Sequence, residues 1–160
     1  MDVGIIAVGR MKSGPEADLA DRYLDRARKG GRAHGLAGFS VTEIPEGRAG
    51  RPADRMESEA AAILQQVQPG SMVVCLDEDG DEIGSEAFAA LLRRIADEGR
   101  HSISFVIGGA DGMAPTLLGR ADRRIAFGRM TWPHQIVRIL LAEQLYRATT
   151  ILSGHPYHRA

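Results

Sequence analysis

The stretch "MVVCLDEDGDEIGSEAFAALLRRIADEGRHSISFVIGGADG", residues 72–112, decides the fold. It opens on an apolar run at 72–76 that reads as a central strand. The acidic run after Leu76 reads as a solvated turn, and Ser85 is placed to cap a helix running to about Glu98. "ISFVI" (103–107) reads as another buried strand, followed at once by "GGADG". Apolar strands alternating with helices are the pattern of a parallel sheet covered on both faces.

The same alternation extends outward. "VGIIAV" (3–8) reads as a buried strand. "GPEADLADRYLDRARK" follows as a helix, with Leu19, Tyr23 or Leu24, and Ala27 at helical spacing, ended by Gly30–Gly31. "GGRAHGLAG" (30–38) is expected to be a glycine-rich loop, and "FSVTEI" (39–44) a strand stopped by Pro45. A basic loop, "EGRAGRP", leads to a helix from about Ala53 to Gln68. Beyond residue 112 come a short helix near Pro115–Gly119, a weak strand "RIAF" (124–127) and a last helix over about Gln135–Thr149. The expectation is one α/β domain over 1–160, a mostly parallel sheet with helices on both faces. Ligands of such sheets sit at the carboxyl ends of the strands. The loops there are "DEDGDEIG", "GGADGM" and "GRMTWPH".

A hydrophobic share of 44% and a charged share of 26% are ordinary for a globular chain, and 160 residues bury a core without disulfide or metal. Cys75, the single cysteine, lies inside the first apolar run and reads as a core residue, which fits a reducing compartment. The apolar start is too short for a signal peptide, and no stretch reaches membrane-spanning length. A cytoplasmic location with no membrane partner is expected. A net charge of −1 argues against a general field for polyanions. The basic residues are nonetheless eighteen arginines against two lysines. That reads either as compositional bias or as guanidinium forks for phosphates.

Several motifs fail on inspection. Asp77, Asp79 and Asp81 have calcium-loop spacing, but Glu82 and Phe88 stand where the loop needs Gly and a bidentate acid. "GGADG" is neither a Walker loop nor a dinucleotide fingerprint, and alone it reads equally as a cofactor loop or a tight turn. His155 and His158 flank Pro156, which opposes the helix that metal ligation at that spacing requires; no metal is expected. Ser153 and His155 lack a hydrolase elbow.

The last helix carries Val137, Leu141, Leu145 and Ala148 as one apolar stripe, widened by Ile136, Ile139 and Leu140. That exceeds what one sheet face usually covers and points to a dimer interface. Glu143 and Arg147 form an i, i+4 pair in the favourable order. "HPYHR" (155–159) then concentrates groups that donate, accept, stack and carry charge.

Together "LDEDGDEIGSEAFA", "SFVIGGADGM", "MTWPHQIVRILLAEQLYRA" and "HPYHR" occur in the order and spacing of one family, as do "VGIIAVGRMK" and "EIPEGR". Over essentially its whole length the chain resembles the ribosomal large-subunit pseudouridine N3-methyltransferases, of the SPOUT class of knotted methyltransferases. The resemblance implies a C-terminal trefoil knot and a homodimer. It implies S-adenosylmethionine as methyl donor, with N3 of a pseudouridine in 23S ribosomal RNA as acceptor on the assembled ribosome, and no DNA partner. It assigns the cofactor pocket to Leu76, Gly108, Gly109, Phe127, Gly128, Arg129, Met130, Thr131 and Trp132, the last standing where an aliphatic residue is commoner. For the chemistry that such a transfer needs, the chain's end offers His155 or His158 as base, Arg147 or Arg159 as charge stabiliser and Tyr157 as stacking surface, with Glu143 as the partner of Arg147. Arg10, Lys12, Arg48 and Arg51 become candidate RNA contacts, as do Arg26, Arg28, Lys29 and Arg32 beside the glycine-rich loop. Other readings are a non-catalytic RNA-binding dimer of the same fold and a tRNA base methyltransferase.

Overall fold

The computed structural model describes residues 1–158, including the backbone but not the side chain of His158. The strands are β1 (Asp2–Val8), β2 (Gly38–Ile44), β3 (Met72–Glu82), β4 (Ser102–Ile107) and β5 (Arg123–Ala126). The helices are α1 (Pro15–Gly31), α2 (Pro52–Gln66), α3 (Ser85–Asp97), α4 (Pro115–Arg120) and α5 (His134–Leu152). The strands form one sheet in the order β2-β1-β4-β3-β5, with every neighbouring pair parallel.

Side-chain alternation along each strand sends residues to two cores. Val3, Ile5 and Ala7 of β1 face the layer of α1, α3 and α5, whereas Ile6 and Val8 face α2 and α4. The central strand β4 is buried throughout. Phe105 of β4 packs on Phe88 of α3 with ring centroids 5.6 Å apart, tilted by 47°. Burying such a side chain is worth about 1.5–3 kcal/mol. Helix α5 lies between α1 and α3, with Leu141, Ala142, Leu145 and Ala148 in that core. Leu141 therefore points into its own chain and not toward a partner.

The structure corrects several expectations. Residues 30–38 are not an open glycine loop: Gly30 and Gly31 finish α1, Arg32–His34 form a 3₁₀ turn, and Leu36 is fully buried. The glycines read locally as breakers, but the buried Leu36 holds the segment down. Ser85 does not cap α3; Gly84 stands at that position, and the Ser85 hydroxyl donates to Gln144 Oε1 on α5 at 2.8 Å. The acidic run after Leu76 is not a turn but the continuation of β3, which bulges after Leu76 and pairs with β5 again at Asp81 and Glu82. Gly80 permits this: a Cβ there would lie 2.6 Å from the Ile125 amide nitrogen. Arg124 of β5 reaches back to Asp77 Oδ2, with Nε at 2.8 Å and Nη2 at 2.6 Å. Cys75 is a core residue, and burial pushes its thiol up to about 12, with Asp77 adding to the shift.

Candidate active site at the carboxyl edge of the sheet

The bulged part of β3 and the loops after β4 and β5 meet at one edge and enclose a cavity of about 590 Å³. That lies within the roughly 300–1,000 Å³ of small-molecule sites. Leu76, Ile107, Ile125, Phe127 and Val137 supply apolar wall, and the backbone of Gly108–Gly112 supplies a polar side. The glycine segment is a tight turn, with Gly112 N–H donating to Gly109 O at 3.1 Å. A Cβ at Gly108 would lie 2.7 Å from Met113 Cγ, so the turn closes only around glycine. At the rim, Thr131 donates to Glu78 at 2.9 Å and the Trp132 indole N–H donates to Phe127 O at 3.3 Å. Met130 (73% exposed) and Trp132 (42%) leave apolar surface facing outward at the mouth.

Eight of the nine expected pocket residues line this cavity: Leu76, Gly108, Gly109, Phe127, Gly128, Met130, Thr131 and Trp132. Arg129 does not; its side chain is 94% exposed and lies 3.9 Å from Glu82. Among the described residues lining the cavity, the ionisable ones are Asp77, Glu78, Asp111 and His134. Asp77 is engaged by Arg124, Glu78 by Thr131, and Asp111 by Arg55. The Arg55 guanidinium holds the Asp111 carboxyl below its ordinary range.

The cations separate into two groups. Arg10 and Lys12 follow β1, and Arg48 and Arg51 follow β2, so these four share the cavity's edge of the sheet. Arg51 is paired with Asp54, and Arg10 approaches Glu43 at 4.0 Å. Arg26, Arg28 and Lys29 in the last turns of α1, and Arg32 in the 3₁₀ turn after it, lie at the opposite edge, where Lys29 pairs with Asp25 and Arg28 donates to Phe39 O.

The tail residues also gather away from the cavity. Tyr157, in a 3₁₀ turn at Pro156–His158, stacks obliquely on Tyr146 of α5 at 4.5 Å. Its phenol donates to Glu143 Oε1 at 3.1 Å, the oxygen that Arg147 also engages through Nε at 2.9 Å and Nη2 at 2.7 Å. Burial first, then the bonds to Tyr23 and Glu143, raise the Tyr157 pKa, so the phenol stays neutral. The bond to Glu143 raises the pKa of Arg147 and keeps it charged. His155 is exposed and its Nδ1 accepts the Tyr157 N–H at 3.2 Å. Arg159 lies outside the described residues, as does the His158 side chain.

Three polar residues that organise this edge escaped the sequence reading. Arg138 is buried, donating to Glu43 Oε1 at 2.6 Å and to Gly9 O at 2.9 Å, and so ties α5 to the ends of β1 and β2. Arg55 forks onto Asp111, and the buried Glu59 accepts the Gly47 N–H at 2.8 Å. Two of them carried a signal: Arg138 falls one turn before Leu141 and Ala142, and Glu59 one turn before Ile63, all on buried stripes. A charge inside an apolar stripe asks for a partner.

A family profile described as "Predicted SPOUT methyltransferase" matches residues 1–158. Relatives named "Ribosomal RNA large subunit methyltransferase H" are similar over nearly the whole chain. The protein of Rhizobium leguminosarum bv. trifolii (strain WSM2304) is 55% identical over 159 residues, covering 99% of each chain. That of Rhizobium rhizogenes (strain K84 / ATCC BAA-868) is 56% identical over 160 residues, again covering 99% of each. In fold, the chain is similar to a probable methylase family protein from Haemophilus influenzae Rd KW20. The TM-score is 0.51 at 12% identity, covering 99% of this chain and 70% of that one. On the profile match and the full-length relatives, the chain belongs to the SPOUT methyltransferase family.

Proposed function

We propose that this protein transfers a methyl group from S-adenosylmethionine to N3 of a pseudouridine in 23S ribosomal RNA, as a cytoplasmic homodimer acting on the assembled ribosome. The large-subunit RNA substrate is supported by the names of relatives matched end to end. The pseudouridine and its N3 position rest on the segments from "LDEDGDEIGSEAFA" to "HPYHR". The observation that carries the reading is the cavity. It gathers, at the sheet edge where such folds bind ligands, eight of the residues that the resemblance assigns to the cofactor. The trefoil knot belongs to the same proposal. Its support is that the chain leaves β5 at one border of the sheet and begins α5 beside Gly9, past β3 and β4.

The residues present fit the cofactor. Backbone groups of Gly108–Gly112 would meet its polar ends, and Leu76, Ile107, Phe127 and Val137 its apolar surface. When bound, the cofactor supplies a methyl group made electrophilic by a sulfonium. The protein's part is to align the acceptor nitrogen, exclude water and manage charge. N3 is an imide nitrogen, so its proton must leave as the carbon–nitrogen bond forms. His155 or His158 would take that proton. Arg147 or Arg159 would stabilise the negative charge on the flanking carbonyls. Tyr157, held neutral, serves as a stacking surface and not as the base.

Of the described groups, His155, Arg147 and Tyr157 do not line the cavity of their own chain. Val137 lines it, and Arg147 stands ten residues further along α5. At about 1.5 Å per residue that is about 15 Å. A homodimer with its α5 helices antiparallel would bring one copy's tail to the other copy's cavity. Ile136, Ile139 and Leu140, half-buried on α5, would form that contact. The test is calorimetry with S-adenosylmethionine, chelator present, followed by mass mapping of 23S RNA from a strain lacking the protein. Heat of binding and a missing methyl on one pseudouridine are expected. Absence of either result overturns the reading.

A further inference from the structure

Helix α2 carries Arg55 and Glu59 one turn apart, and both reach away from the helix toward the same place. The Arg55 guanidinium uses four of its donors. Nε and Nη2 fork onto Asp111 Oδ2 and Oδ1 at 2.7 and 3.0 Å. Nη1 donates to Ala49 O at 3.0 Å and to Gly50 O at 3.1 Å. Glu59 Oε1 accepts the Gly47 N–H at 2.8 Å. One guanidinium and one buried carboxylate thus hold the loop after β2 on one side and face the glycine turn after β4 on the other.

The packing between them is tight. A Cβ at Gly47 would lie 2.8 Å from the Arg55 Cα, so the loop sits directly on the first turns of α2. A Cβ at Gly109 would lie 2.9 Å from Glu59 Oε2 and 3.0 Å from Val8 Cγ1, so the glycine turn abuts the same carboxylate. The loop after β2 presents Arg48 and Arg51 to solvent. The glycine turn lines the cavity from Gly108 to Met113. A shift of either segment must be accommodated by the other, because no slack separates them.

We infer that Arg55 is a positioning residue that couples RNA engagement at the 45–51 loop to the shape of the cofactor cavity. The inference rests on the functional reading above. Phosphates drawn to Arg48 and Arg51 fix the loop. The fork then fixes Asp111 and, with it, the turn against which the cofactor lies. Ribosome and cofactor therefore strengthen each other's binding. A fork is needed for this: a lysine restores the charge but cannot span both carboxylate oxygens and both carbonyls.

The experiment is equilibrium dialysis of radiolabelled S-adenosylhomocysteine, with and without saturating pseudouridine-containing ribosomes. For the unmodified protein, ribosomes should raise affinity by about 5–150-fold, the usual range of coupling between sites. In Arg55→Gln and Asp111→Asn that ratio should fall to about one-fold, and in Arg55→Lys as well, although the lysine should recover much of the thermal stability. A merely structural role would weaken cofactor binding equally with and without ribosomes and leave the ratio intact; that result overturns the inference. Linkage gives a second measurement that needs no variant. Saturating cofactor must raise ribosome affinity of the unmodified protein by the same factor. A ratio of one there also refutes coupling while leaving the cofactor site standing. No binding of S-adenosylhomocysteine under any condition overturns the functional reading and this inference with it.

Discussion

The two ends of α5 differ in kind. At its start, His134 and Val137 stand among backbone turns and apolar wall, with carboxylates already engaged. At its end, Tyr146, Arg147 and Tyr157 crowd around Glu143, with ring stacking and a guanidinium 5.3 Å from the Tyr157 centroid. The first end is shaped to hold a small molecule. The second gathers rings and paired charges, yet Glu143, Tyr146, Arg147 and Tyr157 line none of the cavity at the first. Each end has what the other lacks, and the helix keeps them apart within one chain.

The most damaging blow to this division is removal of the chemistry. Deleting residues 155–160 should lower single-turnover methylation of saturating ribosomes by about 10²–10⁴-fold, the usual loss for one positioned acid or base. S-adenosylmethionine affinity should be unchanged in that deletion. Full activity would reduce the tail to an ordinary chain end. On the proposed reading, the division also requires two copies. Leu140→Glu, which puts a charge on the half-buried outer face of α5, should give monomers by light scattering and abolish methylation. Mixing the tail deletion with Gly108→Val should then restore partial activity, since one mixed dimer pairs an intact cavity with an intact tail. No recovery on mixing, with dimers present, would place both functions in a single chain.

At the cavity end the effect is smaller. Gly108→Val forces its side chain onto Met113, and overpacking of that sort costs about 1–3 kcal/mol. Calorimetry should find weaker cofactor binding, with the oligomeric state intact. The gentlest probe is acid. Asp111 has its folded pKa lowered by Arg55, from an unfolded value of about 4. The stabilisation is thus complete above about pH 4 and is lost as pH falls through the depressed folded value. Thermal unfolding of Asp111→Asn should match that of the unmodified protein only at pH well below 4, and fall short of it at pH 7. A constant gap across that range would remove the ion pair from the account.

Much of this is legible in the sequence because apolar periodicity is a local property. "MVVCL" and "ISFVI" announce buried strands, and the segments that follow the apolar runs point to a common edge. Sheet order is not local, so nothing in the sequence placed β5 beside β3. The run after Leu76 reads as a turn because Asp, Glu and Gly disfavour strands, while its pairing with Ile125 and Ala126 outweighs propensity. Residues 30–38 mislead in the same way, since Leu36 is buried among distant residues. In the candidate site, the motifs name most of the residues that line the cavity, but that Arg147 and Tyr157 lie apart from it depends on how α5 is seated against the sheet, which no local pattern encodes.

Gly80 has a consequence for how this protein tolerates change. Its position, between Asp79 and Asp81 in an acidic run near the surface, suggests freedom to vary. A side chain there would strike the backbone of Arg124 and Ile125 and push β5 off the sheet. Asp122, Arg124 and the 127–132 segment would follow, and the third wall of the cavity with them. In a saturation-mutagenesis map, residue 80 should appear as a single intolerant column beside the permissive one at Asp79. Surface exposure would misjudge that position; backbone proximity would rank it with the core.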